Sequence, residues 1–147
     1  MLSNTCKYAI RAVIYLALNE KNKGKIGIKK ISSDLDIPSP FLGKILQILS
    51  KNKILASTKG PNGGFCLGLP AKEISLISII KIVDGMDLFE NCVIGMRICK
   101  NDKKLRKSCP FHENFDDLRD ELYKQFKDIT IEDFKKEAKN FNGLLNL

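Results

Sequence analysis

The chain holds no tryptophan and a single histidine among its 147 residues. It has no Lys-Ser or Lys-Thr after its glycine-rich stretch, KGPNGG, which excludes a phosphate-cradling nucleotide loop. With one histidine and no recognisable triad of nucleophile, base and orienting acid, an enzyme is the weakest of the function classes. A long apolar run is also missing. The opening residues, MLSNTCKYAIRAVIYLAL, are interrupted by Lys7 and Arg11 and carry no small-residue cleavage site, so neither a signal peptide nor a membrane span is expected. The expected compartment is the cytoplasm, with no membrane partner. Acidic residues are scarce in the first half: residues 1–70 hold only Glu20, Asp34 and Asp36 against eleven Lys and Arg, a surplus of eight. Residues 71–147 hold fourteen of each sign, so the whole net charge of +8 lies in the first half. Such asymmetry marks a surface that meets a polyanion, and nucleic acid is the expected one. An anionic membrane surface is the competing reading. It is disfavoured because the basic residues are spread over several short elements and not along one amphipathic helix.

Cysteine, by contrast, is concentrated. Three of the five cysteines and the one histidine fall within CVIGMRICKNDKKLRKSCPFH, residues 92–112. Cys92, Cys99, Cys109 and His112 are soft or borderline donors, the side chains that hold zinc, iron or an iron–sulphur cluster. A packing role suits them badly, because Lys100, Lys103, Lys104, Arg106 and Lys107 surround them and so charged a segment cannot be core. Neighbouring positive charge instead favours the thiolate. Surface thiols without function are the alternative. Reduced thiols in a cytoplasm favour ligation over structural disulfides.

In chain order, an amphipathic helix is expected from about Asn4 to Asn19, with Cys6, Ala9, Ile10, Val13, Leu16 and Ala17 recurring at intervals of three and four. Lys7 and Arg11 share another face, and Cys6 reads as core. Two short helices then take a helix-turn-helix arrangement. Ile28, Ile31 and Leu35 form the first stripe, Asp36 and Ile37 the turn; Ser39 as N-cap and Pro40 at the first helical position open a second helix to about Ser50. Leu42, Ile45, Leu46 and Leu49 are its core face. Ser39, Gly43, Lys44, Gln47 and Lys51 form an outward row suited to base edges and phosphates in a major groove. Ordinary helical hairpins share this spacing, and a solvated face is the bland reading. Gly43 costs roughly 1 kcal/mol in a helix, which close approach to DNA would explain. ILAST, KGPNGG and FCLGL then read as a β-hairpin, a wing after a recognition helix, with Lys59 and Asn62 at its tip and Cys66 packed inward.

Ile74 to Asp84 is rich in β-branched residues, yet its length, its spacing and Gly85 as C′ residue favour a helix over a strand. Residues 86–109 show no convincing periodicity, and a loop that long is expected to be functional. Pro110 starts a charged helix with Phe111, Phe115, Leu118, Leu122, Phe126 and Ile129 on one stripe. Phe115, Leu118, Leu122 and Phe126 are expected to form a homodimer seam, the alternative being packing within one subunit. A last helix begins at Thr130 with a capping box to Asp133 and runs to about Phe141.

These segments together resemble the winged-helix repressors of the Rrf2 type. The resemblance covers nearly the whole chain and rests on KYAIRAVIYLAL, IPSPFLGKILQILSKNKIL, STKGPNGGFCLG, ISLISIIKIVDG and the cysteine loop closing in CPFH. It implies a mostly α fold with a small β-hairpin wing: a winged helix-turn-helix DNA-binding domain at 1–85, a cysteine-rich cluster-binding loop at 86–112, and a dimerisation helix with a C-terminal helix at 110–147. It further implies a homodimer bound to a palindromic promoter element, with DNA contacts drawn from Lys7, Arg11, Ser39, Pro40, Gly43, Lys44, Gln47, Lys51, Lys59 and Asn62. Cys92, Cys99 and Cys109 match the family's three cysteine ligands. His112 matches the histidine that completes a [2Fe-2S] site in one branch, the iron–sulphur assembly regulators. The chain departs from the common pattern in the wider intervals between its cysteines, which leaves [4Fe-4S] open as cluster type. Lys7 stands near where some nitric-oxide sensors have an acidic ligand, which argues against that scheme here.

The expected function is therefore transcriptional regulation, as a repressor, with redox, nitric-oxide or iron–sulphur status sensed through the cysteine loop. The alternative is a thiol-based or zinc-containing winged-helix regulator without an iron–sulphur cluster.

Overall fold

The computed structural model describes residues 1–92, 94 and 109–138 of the chain. Helix α1 spans Asn4–Lys23, one turn beyond its expected end. It starts where Ser3 Oγ accepts from the Cys6 amide at 3.0 Å. Its inner stripe, Cys6, Ala9, Ala12, Val13, Leu16 and Ala17, is fully buried. Helices α2 (Ile28–Leu35) and α3 (Ser39–Lys51) pack beneath it. The turn between them is set by Asp36 in the left-handed conformation, φ 53° and ψ 49°, which a short polar side chain tolerates. Ser32 Oγ closes the turn by donating to the Ile37 carbonyl at 2.6 Å. One expectation needs correcting: the N-cap of α3 is Pro38 and Ser39 is already helical, with no side-chain cap. Proline at N1 or N2 supplies the nucleus without one, because its φ is already helical.

Strands β1 (Leu55–Thr58) and β2 (Gly64–Leu67) form the expected antiparallel hairpin, Leu55 opposite Leu67 and Thr58 opposite Gly64. Ile26, between α1 and α2, adds a single bridge to Phe65, donating at 2.9 Å and accepting at 2.8 Å. Gly64 permits that approach, since a Cβ there would lie 2.5 Å from the Ile26 carbonyl. A 3₁₀ turn, Ala71–Glu73, leads to α4 (Leu76–Val83), whose helical state confirms spacing over β-branched propensity. Ser75 caps α4 and Gly85 follows it as the C′ residue, donating to the Ile80 carbonyl at 3.1 Å.

Within the stretch read as loop, residues Asp87–Glu90 form a short helix, α5, which buries Phe89. Four residues are too few for periodicity to declare itself, so only the packing of Phe89 reveals the element. Helix α6 (Pro110–Asp128) begins at Pro110 as expected, and α7 (Ile131–Glu137) carries the Thr130–Asp133 capping box. Helix α7 ends at Glu137 with Ala138 as its C-cap, short of the expected Phe141, and residues 139–141 lie outside the described residues.

The core is contiguous. Ile31, Leu42, Leu46, Leu49, Ile74, Ile79 and Ile131 are entirely buried in one cluster, each side chain contributing about 1.5–3 kcal/mol. Ile131 arrives from the C-terminal end because the α6–α7 joint pairs with the start of α4, Leu76 donating to Ile129 at 3.0 Å and Ile131 to Ile74 at 2.9 Å. A second cluster joins Cys6, Ile80 and Phe89 to Leu122, Tyr123 and Phe126 of α6. The Phe89 ring meets Tyr123 edge-on at 5.6 Å and Phe126 at 6.1 Å. The fold is a winged helix with a long helix laid across its end.

Candidate functional site: a basic winged face and a cysteine–histidine face

Helix α3 turns Leu42, Ile45, Leu46 and Leu49 inward, which leaves Pro40, Lys44, Gln47 and Lys51 exposed on its outer side. Lys59 and Asn62 are exposed at the wing tip, and Lys7 on α1. Among the described residues Lys44, Lys51 and Lys59 make no ion pair, while two of the three acids of the basic half have partners in the chain. Asp34 takes Lys30 at 2.6 Å and the Tyr15 hydroxyl at 2.6 Å, and Glu20 takes Lys135 at 3.0 Å. The positive field of α3 and the wing is therefore left standing.

Three of the residues expected at DNA are placed differently from the exposed row. Arg11 is half-buried and donates from its guanidinium to the Leu35 carbonyl at 3.1 Å, capping α2 from within. Ser39 is half-buried at the start of α3. Gly43 faces α2: a Cβ there would stand 3.1 Å from Ile28 Cδ1, so helix–helix packing accounts for the glycine without DNA. Two apolar residues that the spacing left unassigned share the outer face. Phe41 and Ile48 are 39% and 42% exposed, one helical turn either side of Lys44. Their signal was present in the sequence, since both fall outside the core stripe. Phe41 is steadied by Tyr8, whose ring meets it edge-on at 5.8 Å. Between the wing and the start of α2 lies an open cleft of about 510 Å³ bordered by Lys29 and Thr58, and Lys25 Nζ is held by Thr58 Oγ1. Lys25 and Lys29 thus extend the basic face, and sequence spacing alone did not assign them.

The second face lies around the start of α6. Cys92, just beyond α5, and Cys109, at the N-cap of α6, are both half-buried. His112 follows one turn later, its amide bonded to the Cys109 carbonyl at 3.0 Å; the residue is 2% exposed, and its Nδ1 has no hydrogen-bond partner among the described residues. Cys99 lies outside the described residues. Among the described residues no three metal-capable side chains converge. Even so, a buried imidazole nitrogen without a partner is a donor waiting for an acceptor of its lone pair, and a half-buried thiol one turn before it suits the same acceptor. These residues fit a cluster or metal ligand set.

The other cysteines are set apart. Cys6 is fully buried, and burial first, with the nearby Asp84 carboxylate second, pushes its thiol up to about 12. That makes it inert, as expected of a core residue. Cys66 is half-buried in β2.

On the proposed seam, Leu118 is 60% exposed. Leu122 and Phe126 are instead partly buried against the chain's own second cluster, and Phe115 stacks on Phe111 with centroids 5.1 Å apart. Among the described residues no helix is long and apolar enough to cross a membrane.

The chain is similar to a protein of Aquifex aeolicus described as an HTH-type transcriptional regulator, 32% identical over 133 residues that cover 90% of each chain. It is 31% identical to the HTH-type transcriptional regulator IscR of Cronobacter sakazakii over 130 residues, 88% of this chain and 76% of that one. In fold it is similar to CymR, the global cysteine regulator of B. subtilis, with a TM-score of 0.73 at 19% identity over 92% of this chain and 96% of that one. The family model described as Rrf2, iron-dependent transcriptional regulator, matches residues 2–137. A winged helix with a basic outer face and a match of that extent lead to one conclusion: the chain belongs to the Rrf2 family of DNA-binding transcriptional regulators.

Proposed function

We propose that the chain acts as a homodimer that binds a palindromic promoter element and reports redox, nitric-oxide or iron–sulphur status through Cys92, Cys99, Cys109 and His112, the ligands of an iron–sulphur cluster. The observation that carries this reading is His112: covered, in the first turn of the helix that Cys109 caps, with Nδ1 making no hydrogen bond among the described residues. When bound, a cluster held by three thiolates and one imidazole supplies a centre that oxidants and nitric oxide attack more readily than one held by four thiolates.

The chain's own residues would do the rest. Cys109 and His112 open α6, so their ligation state acts at the N-terminus of the helix that carries Phe115, Leu118, Leu122 and Phe126. If those side chains meet their copies across a two-fold axis, a shift of α6 changes the separation of the two α3 helices, and with it the fit to half-sites one helical turn apart. Lys7, Lys44, Lys51, Lys59 and Asn62 would hold phosphates, while Pro40 and Gln47 present themselves to base edges.

The test is metal analysis and visible absorption of anaerobically purified protein, followed by promoter binding with and without the bound group. The expected result is iron with sulphide and a visible band, of the [2Fe-2S] type if His112 is a ligand. His112→Ala should then lose iron faster, and acid near the imidazole pKa should do the same to the natural protein, because a protonated ring cannot ligate. Stoichiometric zinc, or bare thiols with an intact DNA response, would replace this reading with a structural metal site or a thiol switch.

A further inference from the structure

Helix α6 carries a second buried and unsatisfied group. Arg119 is 3% exposed, yet its Nε, NH1 and NH2 have no hydrogen-bond partner among the described residues. Asp116 offers only a loose counter-charge, its Oδ1 3.5 Å from NH1 on a side chain that is 41% exposed. The guanidinium carbon lies 5.4 Å from the centre of the Phe115 ring. Both contacts are to residues three and four positions earlier, so the side chain runs back along the helix toward its N-terminus. Seven residues separate Arg119 from His112, which puts them on one face. The His112 side chain leans the same way, so the two groups stay about 10 Å apart along that face at 1.5 Å per residue.

Arginine has five donors and cannot shed its proton, so it cannot relieve burial by becoming neutral. A guanidinium retained in this state, on the same helix face as an imidazole nitrogen that also lacks a hydrogen-bond partner among the described residues, describes half of a site whose other half is anionic. A ligand set of three thiolates gives its cluster net negative charge, and that charge grows on reduction.

We propose that Arg119 is the charge-compensating residue of the cluster site, a positioning residue whose guanidinium offsets the negative charge gathered at Cys92, Cys99 and Cys109 and holds the reduction potential up. The inference rests on the reading of those cysteines and His112 as ligands.

The experiment compares Arg119→Gln, Arg119→Lys and Arg119→Met with the natural protein, each with the cluster and after its removal. With the cluster bound, Arg119→Gln should lower the midpoint potential and speed iron loss to a chelator about tenfold or more, the range seen when a group behind the ligands is removed. Arg119→Lys keeps the charge without the planar fork and should hold the potential near its natural value. Arg119→Met separates this role from packing. In the cluster-free protein it removes a buried charge that only the loose Asp116 pair offsets, so the melting temperature should rise, whereas the cluster-bound form should lose part of the stabilisation that the cluster confers. A potential unchanged in Arg119→Gln overturns the inference, and so does an Arg119→Met that lowers both melting temperatures alike. A natural protein that carries no cluster overturns the ligand reading itself, and this inference with it.

Discussion

The interior of the winged helix and the inner face of α6 are both buried, and they differ in what they leave unpaired. Under α1, α3 and α4 the covered side chains are mostly Ala, Val, Leu and Ile, and most polar groups at the edge are engaged: Tyr15 on Asp34, Ser32 on the Ile37 carbonyl, Arg11 on the Leu35 carbonyl. Only two single buried side-chain atoms there, Arg11 Nε and Ser50 Oγ, make no hydrogen bond among the described residues. On α6 the covered residues include His112 and Arg119, with four side-chain nitrogens between them that make no hydrogen bond among the described residues. Leaving one such group unsatisfied costs about 1–3 kcal/mol, and more if it is charged. The first region leaves only isolated atoms unsatisfied beside an apolar interior. The second leaves an imidazole nitrogen and a whole guanidinium without hydrogen bonds, which is the physical ground for proposing the sensing site there.

The sharpest way to test that contrast is to remove thiols from each region. Cys92→Ala, Cys99→Ala and Cys109→Ala should each abolish the iron-dependent visible absorption, whereas Cys6→Ala and Cys66→Ala should leave it in place. A spectrum that survives loss of Cys109, or vanishes with Cys6, would erase the distinction.

Next in size is the seam. Leu118 is already 60% exposed in the single chain, so Leu118→Glu should cost the subunit's own fold little. Buried between two copies, the same carboxylate would cost several kcal/mol, so sedimentation should show monomers and promoter binding should collapse. Leu122 is a poorer probe, because it also supports the cluster around Phe89 and its loss would disturb the fold itself. A Leu118→Glu protein that stays dimeric would move the interface elsewhere.

Smaller effects belong to the basic face. Lys44→Ala, Lys51→Ala or Lys59→Ala should weaken binding to all duplexes alike and lower the salt slope by roughly one unit each. Gln47→Ala should instead change sequence preference. Binding titrations across salt concentrations separate the two behaviours, and a flat salt response would remove the face from consideration.

The smallest effect concerns Cys6. Its thiol is raised from the ordinary 9.0 to about 12, so folding favours the protonated form. That contribution is fully present below about pH 9, and alkali removes it as the pH climbs from there toward 12. The folded protein should resist alkylation at Cys6 at mildly alkaline pH, and Cys6→Ala should flatten the alkaline end of the stability profile. Rapid labelling of Cys6 in the native state would show that the α1–α4 contact opens.

Much of the architecture was legible because it rests on local rules. Stripes at three and four residues give α1, α2, α3 and α6; Pro110 and Gly85 mark helix ends; the Thr130–Asp133 pair writes its own capping box. The site was legible in part. Residue type singled out Cys92, Cys99, Cys109 and His112, but that Arg11 and Gly43 also pack against α2 was not legible. Both belong to contacts between elements, and spacing along one element carries no record of what another presents to it. Arg119 was hidden for the same reason, being one charge among many on a helix whose sequence alternates charges.

From the sequence alone follow the fold class, the basic half, the wing and the identity of the candidate ligands, since these depend on periodicity, turn chemistry, net charge and donor type, all properties of neighbours along the chain. Which of those residues face outward, which are taken up by packing, and that His112 and Arg119 lie covered on one face of α6 without hydrogen bonds to the described residues were decided only by the tertiary structure. Burial and the absence of a partner are properties of the whole assembly of elements, and no single segment contains them.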